Sequence, residues 1–133
     1  MALNNISLLK GATGHTITGG VATTYQDDGL EVKSGIHLVD VSEPNFLLRP
    51  HGTFKNKPAT LQSTGKFSKG VRGVNFTIPF LEADGTVSYP VFRGTFDLPP
   101  TMSVAQITEM RRMAAQQILD AEADNFYNFG TIA

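Results

Sequence analysis

The sequence predicts an α+β fold, an antiparallel β-sheet followed by two C-terminal α-helices. Three observations carry that reading. Segments up to residue 98 alternate apolar and polar side chains between Gly- and Asp-bearing turns. Pro99-Pro100 then stops the alternation. Beyond it Val104, Ile107, Met110, Ala114, Ile118 and Ala121 recur at helical spacing. A length of 133 residues fits a single domain, 1–133. Within it we expect an N-terminal hairpin region over 1–25, a main sheet over 31–98 and helices over 103–129.

In chain order, Asn5–Leu9 and His15–Tyr25 flank the glycine-bearing connection 10–14 and suit a hairpin. Gln26-Asp27-Asp28-Gly29 reads as a turn. Glu31–Ser42 holds a strand best defined at Ile36–Val41. Phe46–Asn56 is a strand interrupted by Pro50, which has no ladder donor. The strand is therefore an edge, is kinked, or starts after the proline. Residues 57–70, rich in Lys, Ser, Thr and Gly, read mostly as loop. Val71–Leu81 and Val87–Leu98 are the strongest strands, joined through Asp84-Gly85, a hairpin signal. Ser103 and Gln106 have capping-box spacing and start a helix over about 103–119. Asp120, Glu122 and Asp124 oppose the dipole at a helix C-terminus but suit the first turn of a second helix, 121–129, stopped by Gly130.

Charge is segregated along the chain. Residues 44–81 carry six basic side chains (Arg49, Lys55, Lys57, Lys66, Lys69 and Arg72) and no acid, although the whole chain has a formal net charge of −1. Segregation of this kind suits a surface that meets a polyanion. The ordinary alternative is a solvated positive loop, and Lys57, Lys66 and Lys69 fit it. The composition, 41% hydrophobic and 17% charged, is that of a folded chain. No apolar run has the length of a membrane span, and the N-terminus lacks the pattern of a signal peptide. With no cysteine there are no disulfides, thiolate chemistry or thiolate-ligated zinc.

Strand parity sharpens the charge argument. Side chains alternate across a strand. Leu47, Arg49, His51, Thr53 and Lys55 therefore share one face, and Phe46, Leu48, Pro50, Gly52 and Phe54 the other. In the next strand Val74, Phe76, Ile78 and Phe80 share the apolar face, with Asn75 and Thr77 opposite. In the last, Phe92 and Phe96 oppose Val91, Arg93, Thr95 and Asp97. Side chains of these polar types contact phosphates and unpaired bases well. A sheet face holds them at fixed spacing, although an ordinary solvated sheet face is also polar. About 17 residues of helix span roughly 25 Å, too little to cover a five- or six-stranded apolar face. A second copy that exchanges helices across the sheet closes that gap; a folded-back N-terminal hairpin is the alternative.

No catalytic or metal-binding motif is present. We expect no catalytic residues, no metal, no cofactor, no small-molecule substrate and no membrane partner. His51 with Asp97 is the one combination that could serve an enzyme.

The order of these elements resembles the coat proteins of single-stranded RNA bacteriophages of the levivirus type. The residues that carry the resemblance are Arg49-Pro50-His51-Gly52-Thr53-Phe54-Lys55, Phe67-Ser68-Lys69-Gly70 leading into a strand, the Asp84-Gly85 hairpin, and the ending Asp124-Asn125-Phe126-Tyr127-Asn128-Phe129-Gly130. It spans essentially the whole chain, as a divergent member. The resemblance implies an outer N-terminal hairpin and two helices that interlock with a second subunit. It implies a homodimer with a continuous ten-stranded sheet, a quasi-equivalent icosahedral shell, and a virion assembled in the bacterial cytoplasm. It implies an inner sheet face that binds the RNA genome and, as in known members, a stem-loop that represses replicase translation. Carried over by strand position, the RNA-binding residues are Arg49, His51, Thr53, Lys55, Asn75, Thr77, Val91, Arg93 and Thr95. The dimer interface takes Val104, Ile107, Met110, Ala114 and Ile118. Glu82, Ala83, Asp84, Gly85 and Thr86 match the loop between dimers. A cellular RNA-binding dimer that forms no shell is the competing reading.

Overall fold

In a computed structural model the described residues are 6–13 and 18–132. They form two compact units, one of residues 20–101 and one joining the N-terminal segment to residues 102–132.

The first unit is built on a five-stranded antiparallel sheet with a small separate ribbon. Its strands are β1 (Gln26–Asp27), β2 (Gly35–Val39), β3 (His51–Lys57), β4 (Gly70–Thr77), β5 (Phe80–Leu81), β6 (Val87–Ser88) and β7 (Val91–Leu98). Five of them pair in the order β1-β2-β3-β4-β7, and β5 pairs with β6 in a separate ribbon. The two strands expected over 71–81 and 87–98 are each split. Pro79 and Pro90 cause this, since neither has an N–H for the ladder. The loop Glu82–Thr86 closes the small ribbon, with Glu82 N–H donating to the Thr86 carbonyl at 2.7 Å.

Pro50 lies just ahead of β3, so the strand starts after the proline. Its carbonyl still accepts from Asp40 N–H at 2.9 Å. Phe46–Leu48 is a 3-10 turn, not strand, because the Asn45 side chain caps it by accepting from Leu47 N–H at 3.0 Å. Gln26-Asp27 is strand where a turn was expected. The turn follows it, built by Asp27 and Asp28 carboxylates accepting from Gly29 and Leu30 N–H. Likewise β2 starts at Gly35, after a turn in which Gly35 N–H donates to the Val32 carbonyl. Residues 58–69 form a small ribbon through a Leu61–Phe67 bridge, and Thr60 and Ser68 exchange hydrogen bonds across it.

Gly35 marks the tightest backbone approach in the sheet. A Cβ there would lie 2.2 Å from the Phe54 carbonyl oxygen. Gly35→Ala should therefore push β2 off β3 and destabilise the sheet by about 1–3 kcal/mol, read as a lower urea midpoint.

The second unit holds α1 (Val104–Leu119) and α2 (Asp124–Phe129), with a 3-10 turn at Ala121–Ala123 between them. The capping box is complete: Ser103 Oγ accepts from Gln106 N–H, and Gln106 Oε1 accepts from Ser103 N–H at 2.8 Å. Asp120 caps the 3-10 turn through Glu122 N–H. Gly130 ends α2 at φ 71°, with Gly130 and Thr131 N–H returning to Phe126 and Asn125 carbonyls.

The N-terminal hairpin expected over 1–25 is not formed among the described residues, since 6–13 and 18–25 contain no strand. Asn5, Gly14 and His15–Ile17 lie outside the described residues. The reason is visible in the hydrogen bonds. The Gln116 amide takes both the N–H and the carbonyl of Leu9, Glu109 accepts from Gly11 N–H, and Arg112 donates to the Thr13 carbonyl. One polar stripe of α1 thus satisfies the backbone that a hairpin partner would otherwise occupy.

Neither unit has much of a core. Among the described apolar residues only Leu98 and Ala123 are fully buried. A single sheet has no second layer to bury its apolar face against.

Candidate nucleic-acid interface

The register places the polar residues of four strands in rows across one face. Directly paired residues of an antiparallel sheet point to the same side. One row runs Val39–His51–Thr77–Val91. The next runs His37–Thr53–Asn75–Arg93, followed by Gly35–Lys55–Gly73–Thr95 and by Lys57–Val71–Asp97. Eight of the nine residues carried over from the resemblance therefore lie in three adjacent rows. Lys55, Asn75, Val91, Arg93 and Thr95 are exposed, His51 and Thr53 half-buried, and Thr77 buried. Neighbouring strands sit about 4.8 Å apart, so the charges hold fixed relative positions.

Arg49, the ninth, precedes β3 and is tethered. Its Nε donates to the Glu43 carbonyl at 2.7 Å, and its guanidinium carbon sits 4.2 Å from the Phe46 ring centroid. A cavity of about 300 Å³ joins it to His51 and His37. A second, of about 330 Å³, opens among Thr53, Lys55, Lys57, Asn75, Arg93 and Thr95. It lies over Gly73, where a side chain would otherwise fill the space: a Cβ there would meet Thr95 Cγ2 only at 3.6 Å.

Two residues of this face escape sequence reasoning. Lys57 looks like part of a solvated loop, yet it ends β3 with the parity of Lys55. His37 reads as a scattered histidine. The β2–β3 register brings its ring 5.4 Å from that of His51, and its Nδ1 lies 2.7 Å from Asp28 Oδ2. Its alternation with Ile36 and Leu38 was the available signal. Asp28 is held below the usual carboxylate range by the Leu30 N–H, helped by the His37 hydrogen bond. Lys66 and Lys69 do lie in the 58–69 excursion, and Arg72 pairs with Phe96 on the apolar side. His51 and Asp97 stand at opposite ends of the face, six residues or roughly 20 Å apart along the strand direction. They form no acid–base pair.

The opposite face carries Leu38–Gly52–Phe76–Phe92 and Ile36–Phe54–Val74–Gly94. Tyr25 meets Phe76 edge-on at 5.9 Å, but Phe54 and Phe92 remain 48% and 49% exposed. On α1, Val104 is 81% exposed, Met110 and Ile118 are exposed, and Ile107 and Ala114 are half-buried. The loop Glu82–Thr86 is ordered by Asp84 Oδ1, which accepts from Thr86 Oγ1 at 2.7 Å and Thr86 N–H at 3.0 Å. The Thr86 hydroxyl and N–H hold the Asp84 carboxyl below its ordinary range. Among the described residues no cluster of His, Asp and Glu suits a metal ion, and no helix is long and apolar enough to cross a membrane.

The subunit fold of a virus-like particle of bacteriophage GQ-907 superimposes with a TM-score of 0.91 at 29% identity, covering 99% of this chain and 100% of that one. This likeness supports a divergent coat protein of the levivirus type. Two more distant coat structures share the fold. The virus-like particle of bacteriophage AVE019 matches with a TM-score of 0.69 at 15% identity, over 87% of this chain and 92% of that one. That of Beihai levi-like virus 21 matches at 0.54 and 9%, over 85% and 97%. No protein-family model and no curated protein matches this chain. Its antiparallel sheet and pair of C-terminal helices are those of the phage coat fold.

Proposed function

We propose that this coat protein dimerises, assembles into an icosahedral shell and packages single-stranded RNA against the polar sheet face. One observation carries the reading: the sheet is a single layer with basic and amide rows on one side and exposed phenylalanines on the other. The apolar side needs a partner, and the interlocking helices of a second copy, through Val104, Ile107, Met110, Ala114 and Ile118, supply one. Edge geometry supports the continuous sheet. β1 is two residues long, whereas β7 offers an unpaired edge of eight residues, a template for its own counterpart. The ordered loop Glu82–Thr86 is proposed as the contact between dimers. A stem-loop bound on the same face would give translational repression.

The test is expression of the chain alone, followed by negative-stain imaging and the 260/280 nm absorbance ratio. Closed particles with the absorbance of packaged nucleic acid are expected. Soluble monomers without nucleic acid would sink the proposal, and RNA-bound dimers that never close would favour a binding protein over a shell.

A further inference from the structure

We propose that the basic excursion 58–69 of one dimer docks on the acidic β5–β6 ribbon of a neighbouring dimer. This rests on the assembly reading and names what the loop Glu82–Thr86 meets. Residues 58–69 carry Lys66 and Lys69 and no acid, whereas residues 78–90 carry Glu82 and Asp84 and no base. Both segments are ordered. In the excursion Gln62 N–H donates to the Lys66 carbonyl at 2.8 Å, and Gly65 N–H returns to the Gln62 carbonyl at 2.9 Å. In the β5–β6 ribbon the carboxylates are held in place: Ser88 Oγ donates to Glu82 at 2.5 Å, and Thr86 Oγ1 to Asp84 at 2.7 Å. Each ribbon also has an apolar cross-strand pair, Leu61–Phe67 in one and Leu81–Val87 in the other. Leu61, Phe67 and Leu81 are all more than half exposed. Apolar pairs flanked by opposite charges are complementary surfaces.

The topology aims the two at each other. The excursion leaves the sheet at the Gly70–Leu98 end of β4 and β7, and the acidic ribbon at the Thr77–Val91 end. Those ends lie roughly 24 Å apart, so a chain's excursion is remote from its own carboxylates. A two-fold axis that keeps both polar faces on one side pairs β7 antiparallel with its copy, which reverses the second chain. Each side of the dimer then presents one chain's basic excursion and the other chain's acidic ribbon. Their bases stand three strand spacings apart, roughly 14 Å, which leaves both for a neighbour. Two such sides are complementary to each other.

Particles are assembled from equal amounts of isotope-labelled and unlabelled full chain. They are treated with a water-soluble carbodiimide, which condenses a lysine amine with a carboxylate it touches. Mass spectrometry should find Lys66 or Lys69 joined to Glu82 or Asp84 in isotopically mixed pairs, absent from isolated dimers. Lys66→Glu with Lys69→Glu should leave dimers folded and raise the concentration at which particles form by at least about tenfold. Glu82→Gln with Asp84→Asn, which keeps the Ser88 and Thr86 hydrogen bonds, should act in the same direction. Particles in which neither lysine couples to Glu82 or Asp84, or the same coupling in isolated dimers, would overturn the contact. A double-glutamate variant that assembles normally but packages less RNA would overturn it too and give the excursion to RNA. A wild-type chain that never closes particles would overturn the shell reading, and this contact with it.

Discussion

Phe92→Asp is expected to abolish dimerisation and shell formation while leaving the five-stranded sheet formed. In the isolated subunit Phe92 is 49% exposed, in a row with Leu38, Gly52 and Phe76. A carboxylate at a half-exposed site in a free chain changes stability by about 0.5 kcal/mol or less. The same carboxylate under a partner's helix is an unpaired buried charge costing about 3–5 kcal/mol. The size of the effect thus reports whether a second copy covers this face. Phe92→Leu, which keeps the site apolar, should still assemble. Sedimentation velocity with circular dichroism separates the outcomes: sheet signal retained and large species lost is the expected result. Normal particles from Phe92→Asp would mean that the face stays in water. Ile107→Asp and Ile118→Asp should act in the same direction from the helix side.

Replacing Lys55, Lys57 and Arg93 together by alanine should weaken RNA binding and flatten its salt dependence. All three lie on the polar face and are exposed, so their loss leaves the apolar face and the strand pairing untouched. For single-stranded RNA each lost phosphate contact lowers the log–log salt slope by about 0.7, so three contacts remove about 2. Filter binding over a salt series measures this directly. An unchanged slope would place the RNA on another surface. Lys66→Ala with Lys69→Ala, in the 58–69 excursion, serves as a control that removes two charges away from this face.

Local signals are legible in this sequence and long-range pairings are not. Ser103 with Gln106, Asp120 and Gly130 mark the helix boundaries because caps act within a few residues. Strand parity sorted His51, Thr53, Lys55, Asn75, Arg93 and Thr95 onto one face, because alternation is a property of each strand alone. What joined them into rows was the register, which depends on residues far apart in sequence. His37 and Lys57 join the face only through that register. Pro79 and Pro90 are the sequence signals for the split strands. The N-terminal segment was different again. Nothing near Leu9, Gly11 or Thr13 signals that Gln116, Glu109 and Arg112 will take their backbone groups. The apolar exposure of Phe54, Phe92 and Val104 became measurable only once the strands and helices had positions.

RNA is expected to meet this protein on the polar sheet face, beside Lys55, Lys57 and Arg93. Ultraviolet crosslinking inside assembled particles, with the attached peptides identified by mass spectrometry, tests it most directly. Crosslinks should concentrate in β3 and β7, around His51–Lys57 and Val91–Leu98. Crosslinks confined to α1 and α2, with the sheet unmodified, would contradict it.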